Sequence, residues 1–233
     1  MEIFMTALNF LFDEKSLLLS MDTLSLRADD RIPYKYLTKF FPLPHMNCLI
    51  CGTGNYQPVI DWFVYIQSNF IGNGILQLNL CAERNLKDFM QEHNGENLCT
   101  IYQFGFHETD RRLYGYAYRS INGFVSELIP YGTGLKPPDV FFNIHGELDL
   151  EEIFISAKEK HSIDTDRYYE EIFRTIMHKQ KEFDERLPSN NRLGIGGIVQ
   201  LIYMSRDSLV IKNLEYFDDF MSQYEIMLAG AGL

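Results

Sequence analysis

The sequence is short of positive charge, of tryptophan, of cysteine and of any long apolar run. Its 21 Lys and Arg stand against 32 Asp and Glu, for a formal net charge of −11 and a pI near 5.0. Nucleic-acid affinity rests on clustered Lys and Arg. The densest basic pair here, Arg111-Arg112, reads as the solvated end of a hairpin, so no nucleic-acid partner is expected. Residues Met1–Met5 lack a basic n-region, and no uninterrupted apolar run approaches the ~18–20 residues that span a bilayer. Neither a secretory segment nor a membrane partner is therefore expected, and a cytoplasmic location is the default. The four cysteines, Cys48, Cys51, Cys81 and Cys99, suit a reducing compartment. Cys48-Leu-Ile-Cys51 spells C-x-x-C, but inside a strand-like run whose successive residues face opposite sides, so the thiols point apart. The six histidines (His45, His93, His107, His145, His161 and His178) are scattered without ligand spacing. Neither Gly52-Thr-Gly54 nor Gly194-Ile-Gly-Gly197 has the residues of a phosphate loop. No metal and no cofactor are expected.

What is present is apolar and aromatic. Of 233 residues 46% are hydrophobic, enough for one domain spanning 1–233, and 18 Phe and 14 Tyr favour half-buried strands. Strand-like runs Thr6–Phe12 and Ser16–Met21 flank the turn Asp13-Glu14-Lys15. A polar loop follows Asp22-Thr23, and a third run, Asn47–Cys51, ends on Gly52. Helical spacing covers Pro58–Gln67 and Ala82–Glu92. Strands are expected over Leu98–Phe106, Arg111–Arg119 and, after the hairpin signal Asn122-Gly123, Phe124–Pro130. Gly132-Thr-Gly134 and Pro137-Pro138 interrupt regular structure. Two helices follow, Asp149–Lys160 and Thr165–Arg186, the second with an amphipathic stripe through Ile172/Phe173, Ile176/Met177 and Gln180. Strands Gly197–Met204 and Ser208–Lys212 then precede a helix over Tyr216–Leu228 and a frayed tail. Strands gathered in blocks point to two stacked, mostly antiparallel sheets with helices outside, an α+β chain.

Against this pattern, the order Thr6, Asp22, Lys39, Gly52 resembles the start of a peptidase of the proteasome-type (HslV-like) N-terminal-nucleophile hydrolase superfamily. Tyr114–Gly123 with Gly132-Thr-Gly134, and the strand Gly196–Tyr203, resemble later pieces of the same pattern. The resemblance implies a four-layer α-β-β-α sandwich, a homo-oligomer and a peptide or amide substrate. It also implies roles. Thr6 would be the nucleophile, its own α-amine taking the proton; Lys39 would disfavour protonation of that amine, and Asp22 would balance Lys39. The Gly52 amide would stabilise the oxyanion, and Thr133 would stand where the family has a serine.

Several departures leave a second account open. Thr6 becomes terminal only after five residues are removed, and Met5 precedes it where the family has glycine. Thr38 occupies the lysine position in an ungapped comparison. The supporting late Asp and Ser have no match at Ser189-Asn-Asn-Arg192 or Ile195. A one-residue slip would put Met5 at the nucleophile position and leave no nucleophile at all. The alternative is a catalytically silent subunit with an assembly or binding role. For an oligomer, the apolar helices near 57–70 and 165–186 are the candidate interface.

Overall fold

The computed structural model describes every residue except 1–2, 6, 28, 93–97, 137–148, 162–163, 189–191 and 233, with the backbone alone at 3–5, 92, 133 and 135–136. Its strands form two antiparallel sheets. The larger has eight strands: β1 (Ile3–Met5), β4 (Leu24–Arg27), β5 (Pro33–Tyr36), β6 (Phe40–Leu43), β7 (Cys48–Asn55), β8 (Cys99–Phe106), β9 (Leu113–Arg119) and β10 (Ser126–Leu128). They run in the order β10-β9-β8-β7-β1-β4-β5, with β6 also paired to β7. The smaller has five strands, β2 (Leu8–Phe12), β3 (Ser16–Asp22), β11 (Gly132–Lys136), β12 (Ile198–Ser205) and β13 (Leu209–Tyr216), in the order β11-β2-β3-β12-β13. The helices are α1 (Tyr56–Asn69), α2 (Ile75–Glu92), α3 (Leu150–Lys160), α4 (Thr165–Arg186) and α5 (Phe220–Ala231).

Period-two alternation sorts the side chains. Leu8, Phe10 and Phe12 of β2 and Leu17, Leu19 and Met21 of β3 meet Leu49, Cys51, Tyr102 and Phe104 of the larger sheet in one apolar cluster. The rings of Phe10 and Phe12 meet Phe104 edge-on at 5.3 and 5.4 Å. The opposite face of β3 and β12 presents Leu18 and Leu201 to Phe173 of α4. A further cluster joins Trp62, Ile66, Leu78 and Leu86 of α1 and α2 to Cys48, Ile50 and Ile101. Cys48 and Cys51 thus lie in different clusters on opposite faces of β7. Burial pushes both thiols up, so neither is ionised at neutral pH.

The structure corrects several boundaries. The expected polar loop after Thr23 holds β4, β5 and β6, strands of four residues each, too short for an alternation to stand out. The run expected to end on Gly52 continues to Asn55. Helix α2 starts at Ile75, not Ala82, because its first amides are capped from a distance: Glu108 accepts from Leu76 and Gln77 at 3.3 and 3.0 Å. Gly132-Thr-Gly134 lies within β11 instead of breaking the chain. Strand β13 reaches Tyr216, and α5 begins at Phe220 and runs to Ala231, inside the tail expected to fray.

Candidate functional site

Asp22 ends β3 where the chain leaves the smaller sheet, and Thr23 links it to β4 of the larger one. That crossing is pinned on both sides. Thr23 and Leu24 donate their amides to the Gly196 carbonyl at 3.3 and 3.1 Å, Leu37 donates to the Thr23 carbonyl at 2.8 Å, and Thr23 Oγ1 accepts from the Ile198 amide at 2.8 Å. Lys39, just before β6, points into the same crossing.

Both side chains are fully buried. Lys39 Nζ donates to Asp22 Oδ1 at 3.0 Å and to the Leu24 carbonyl at 2.6 Å. The same carboxylate accepts the Ala7 amide on Oδ1 and the Gly196 amide on Oδ2, each at 3.2 Å. Buried charge persists only when paired and hydrogen-bonded, and this pair is both. Burial pulls the Lys39 pKa below the ordinary lysine value, opposed by the attraction and hydrogen bond of Asp22.

Thr6 lies outside the described residues. Its neighbours bracket it: Met5, the last residue of β1, pairs with Gly54 of β7, and Ala7 donates to Asp22. Phe40 pairs with Cys51, so the antiparallel register carries Lys39 level with Gly52. The structure therefore brings Asp22 and Lys39 to the Ala7 amide, with Gly52 two residues along β7 from the Gly54 that pairs with Met5. Gly52 itself is strand, not turn. A Cβ there would lie 2.6 Å from Val59 Cγ2 and 2.8 Å from the Thr100 carbonyl oxygen, so its lack of a side chain admits α1 and β8.

Thr133 is not brought to this group. Its backbone pairs with Leu11, while Lys136 pairs with Leu8, the residue after Ala7. At about 3.3 Å per residue, Thr133 stands roughly 10 Å along β2 from Leu8. Gly132-Thr-Gly134 is strand, where an interruption of regular structure was expected.

Sequence reasoning missed the residues that hold the crossing from behind. The Asp184 carboxylate, at the end of α4, accepts the amides of Leu193, Gly194 and Ile195 at 2.5, 2.8 and 3.2 Å. The signal was available, since Asp184 continues the buried stripe Phe173, Met177, Gln180 at helical spacing and is itself buried. Gln223 of α5 accepts the Gly197 amide at 3.2 Å. Gly197 has φ +79°, and a Cβ there would lie 2.4 Å from Thr23 Oγ1, so the turn demands glycine. No local pattern announces Gln223.

A pocket of about 650 Å³ opens elsewhere, lined by Leu11, Leu18, Tyr169, Tyr203 and Val210 among others, and neither Asp22 nor Lys39 contributes to it. Among the described residues no three His, Cys, Asp or Glu side chains gather as a metal site, and no helix is long and apolar enough to cross a membrane.

No family model matches the chain, and no curated protein matches it. Among solved structures it is similar to Anbu (ancestral beta-subunit) from Yersinia bercovieri. The TM-score is 0.54 and the identity 8%, over 97% of this chain and 94% of that one. The likeness supports a proteasome-like α+β fold and nothing finer. It also corrects the sequence comparison: with no matching family model and 8% identity, placement in the proteasome-type (HslV-like) superfamily is not upheld. Residues spaced like a motif on a strand-rich chain do not by themselves establish descent.

Proposed function

We propose that this protein of proteasome-like fold hydrolyses an amide bond, in a peptide or small amide, with Thr6 as nucleophile once residues 1–5 are removed. The supporting observation is that Ala7, the residue after Thr6, donates its amide to the same Asp22 oxygen that holds the buried Lys39. In this reading the Thr6 hydroxyl attacks the amide carbonyl carbon and its proton passes to the α-amine freed at Thr6. The amine returns that proton to the departing amine as the C–N bond breaks, and water then cleaves the acyl ester. Lys39 keeps the neighbouring amine neutral, Asp22 holds Lys39 in place, and the Gly52 amide is the oxyanion donor. Thr133 has no part in this scheme.

The same reading places helices outside two facing sheets in four layers within one domain, as the three apolar clusters suggest. The Yersinia protein is by name a β-subunit, and we extend subunit character to this chain as a homo-oligomer.

One observation favours a second reading, a catalytically silent protein with an assembly or binding role. Residues Ile3–Met5, which must leave to free Thr6, pair with both β4 and β7 inside the larger sheet. Intact mass of untagged protein, beside a Thr6→Ala variant, separates the two. Loss of residues 1–5 in wild type but not in the variant supports the hydrolase. Retention of residue 5 in both removes the free amine, and with it the threonine mechanism.

A further inference from the structure

The cavity of about 650 Å³ lies on the outer face of the smaller sheet. Its floor is one row of side chains across four strands. Leu11 of β2 pairs with Leu18 of β3, Leu18 with Tyr203 of β12, and Tyr203 with Val210 of β13. Residues paired directly across antiparallel strands share one side of the pleat, so the row is continuous. Helix α4 packs on this face with Phe173 against Leu18 and Leu201. It begins at Thr165, and its first turns form one wall of the cavity with Tyr169. Beyond that wall Tyr203 and Val210 stay 39% and 41% exposed.

The polar part of the lining is lopsided in charge. Asp13, Asp166 and Glu170 bring three carboxylates to the cavity, against one ammonium, Lys212. That ammonium is already engaged, since Lys212 Nζ donates to Glu170 Oε1 at 3.0 Å. The hydrogen bond and charge of Glu170, and then the charges of Asp166 and Asp164, hold the Lys212 pKa above the ordinary lysine value. The potential at the rim is thus negative even where the lysine stands. Asp13 is fixed by its own turn, one oxygen accepting the Lys15 and Ser16 amides, both at 2.8 Å. The start of α4 offers an anion little in return. Asp164 caps it by accepting the Arg167 amide at 3.1 Å, and the Arg167 guanidinium turns to Asp164 at 3.3 Å.

We propose that this cavity binds a small organic cation, a protonated or quaternary amine carried on an aryl or branched-alkyl body. Its volume falls within the roughly 300–1,000 Å³ of small-molecule sites. The row from Leu11 to Val210 takes the apolar body. Asp13 and Asp166 face the cationic end, and the rings of Tyr169 and Tyr203 present π-systems that attract a cation. An anion on the same body meets three carboxylates, and a neutral group forgoes their attraction.

The site is separate from the buried crossing and does not rest on amide hydrolysis. Leu18 stands four residues before Asp22 on β3, roughly 13 Å at about 3.3 Å per residue.

The test is a titration of the full chain, isotope-labelled at Leu and Val methyls, with 3-phenylpropylamine. The probes 3-phenylpropan-1-ol and 3-phenylpropionate carry the same body without the charge and with the opposite one. The amine is expected to shift the methyls of Leu11, Leu18, Leu201 and Val210 saturably, with a dissociation constant on the order of 1 mM, while Leu78 and Leu86 of α2 stay in place. The alcohol should bind about tenfold more weakly and the carboxylate more weakly again. Asp166→Asn should weaken the amine about threefold and leave the alcohol unchanged. Val210→Trp, which fills the cavity from an exposed strand, should remove amine binding with an unchanged circular dichroism spectrum. Floor methyls that do not move with the amine overturn the site. An alcohol or carboxylate that binds as tightly as the amine overturns the ligand class, and with it the proposal. A folded Val210→Trp that binds the amine like wild type does the same. Should Val210→Trp misfold, Tyr203→Ala decides, with binding expected to weaken about threefold or more.

Discussion

The Lys39 ammonium lies 3.0 Å from the Asp22 carboxylate, and neither side chain reaches solvent. Taking two ions out of water costs several kcal/mol each, which their attraction repays only in good geometry. Here the carboxylate also accepts two backbone amides, and the ammonium also donates to a carbonyl. The pair adds little net stability against an apolar replacement, yet each member is indispensable to the other.

Single replacements should therefore be severe. Asp22→Ala or Lys39→Met leaves one buried charge alone, at about 3–5 kcal/mol. For a chain of this size that is a fall in melting temperature of roughly 6–20 °C by calorimetry. The double variant Asp22→Leu/Lys39→Met should recover a large part. A double variant whose loss equals the sum of the singles would refute the coupling.

Stability should respond to pH through Lys39. Burial sets its native pKa below the ordinary 10.5, with Asp22 as the facing charge. Between the lowered native value and 10.5 the unfolded chain binds more protons at this site than the native chain, so stability rises with pH in that window. As pH rises toward 10.5, denaturant midpoints should climb in wild type relative to Lys39→Met. A relative fall would reverse the sign assigned here.

Gly52→Ala should destabilise by about 1–3 kcal/mol, because the new methyl meets Val59 Cγ2 and the Thr100 carbonyl. Since Val59 can be trimmed and a backbone carbonyl cannot, Val59→Ala should rescue the melting temperature only in part. No loss on Gly52→Ala would show that α1 is not packed this closely on β7.

Asp184→Ala removes the acceptor for three amides at the loop before β12. Leaving them unsatisfied costs about 1–3 kcal/mol. Amide exchange at Leu193, Gly194 and Ile195 should quicken more than at β12, and Asp184→Asn, which keeps one oxygen, should lie between. Unchanged exchange at those three amides would remove Asp184 from the support of the Gly196 turn.

The sheets were legible where alternation ran long enough. Cys48 and Cys51 were readable as facing apart, whereas the inward face of β2 stayed open to a one-residue slip until the packing of Leu8, Phe10 and Phe12 between the sheets decided it. The stripe of α4 was equally plain as far as Gln180, whereas the charge of Asp184 hid that it continues the same buried line. Strands β4 to β6 were not legible, because four residues give too few alternations to stand out from a polar loop.

By itself the sequence determined the α+β class, the strand blocks, most helices and the order of Thr6, Asp22, Lys39 and Gly52, all properties of local period and composition. Only the tertiary structure decided that Asp22 and Lys39 share one buried crossing, that Thr133 is held in a ladder away from it and that Glu108 starts α2. Each of these depends on groups far apart in the chain, whose meeting is set by sheet register and packing and leaves no period in the residues themselves.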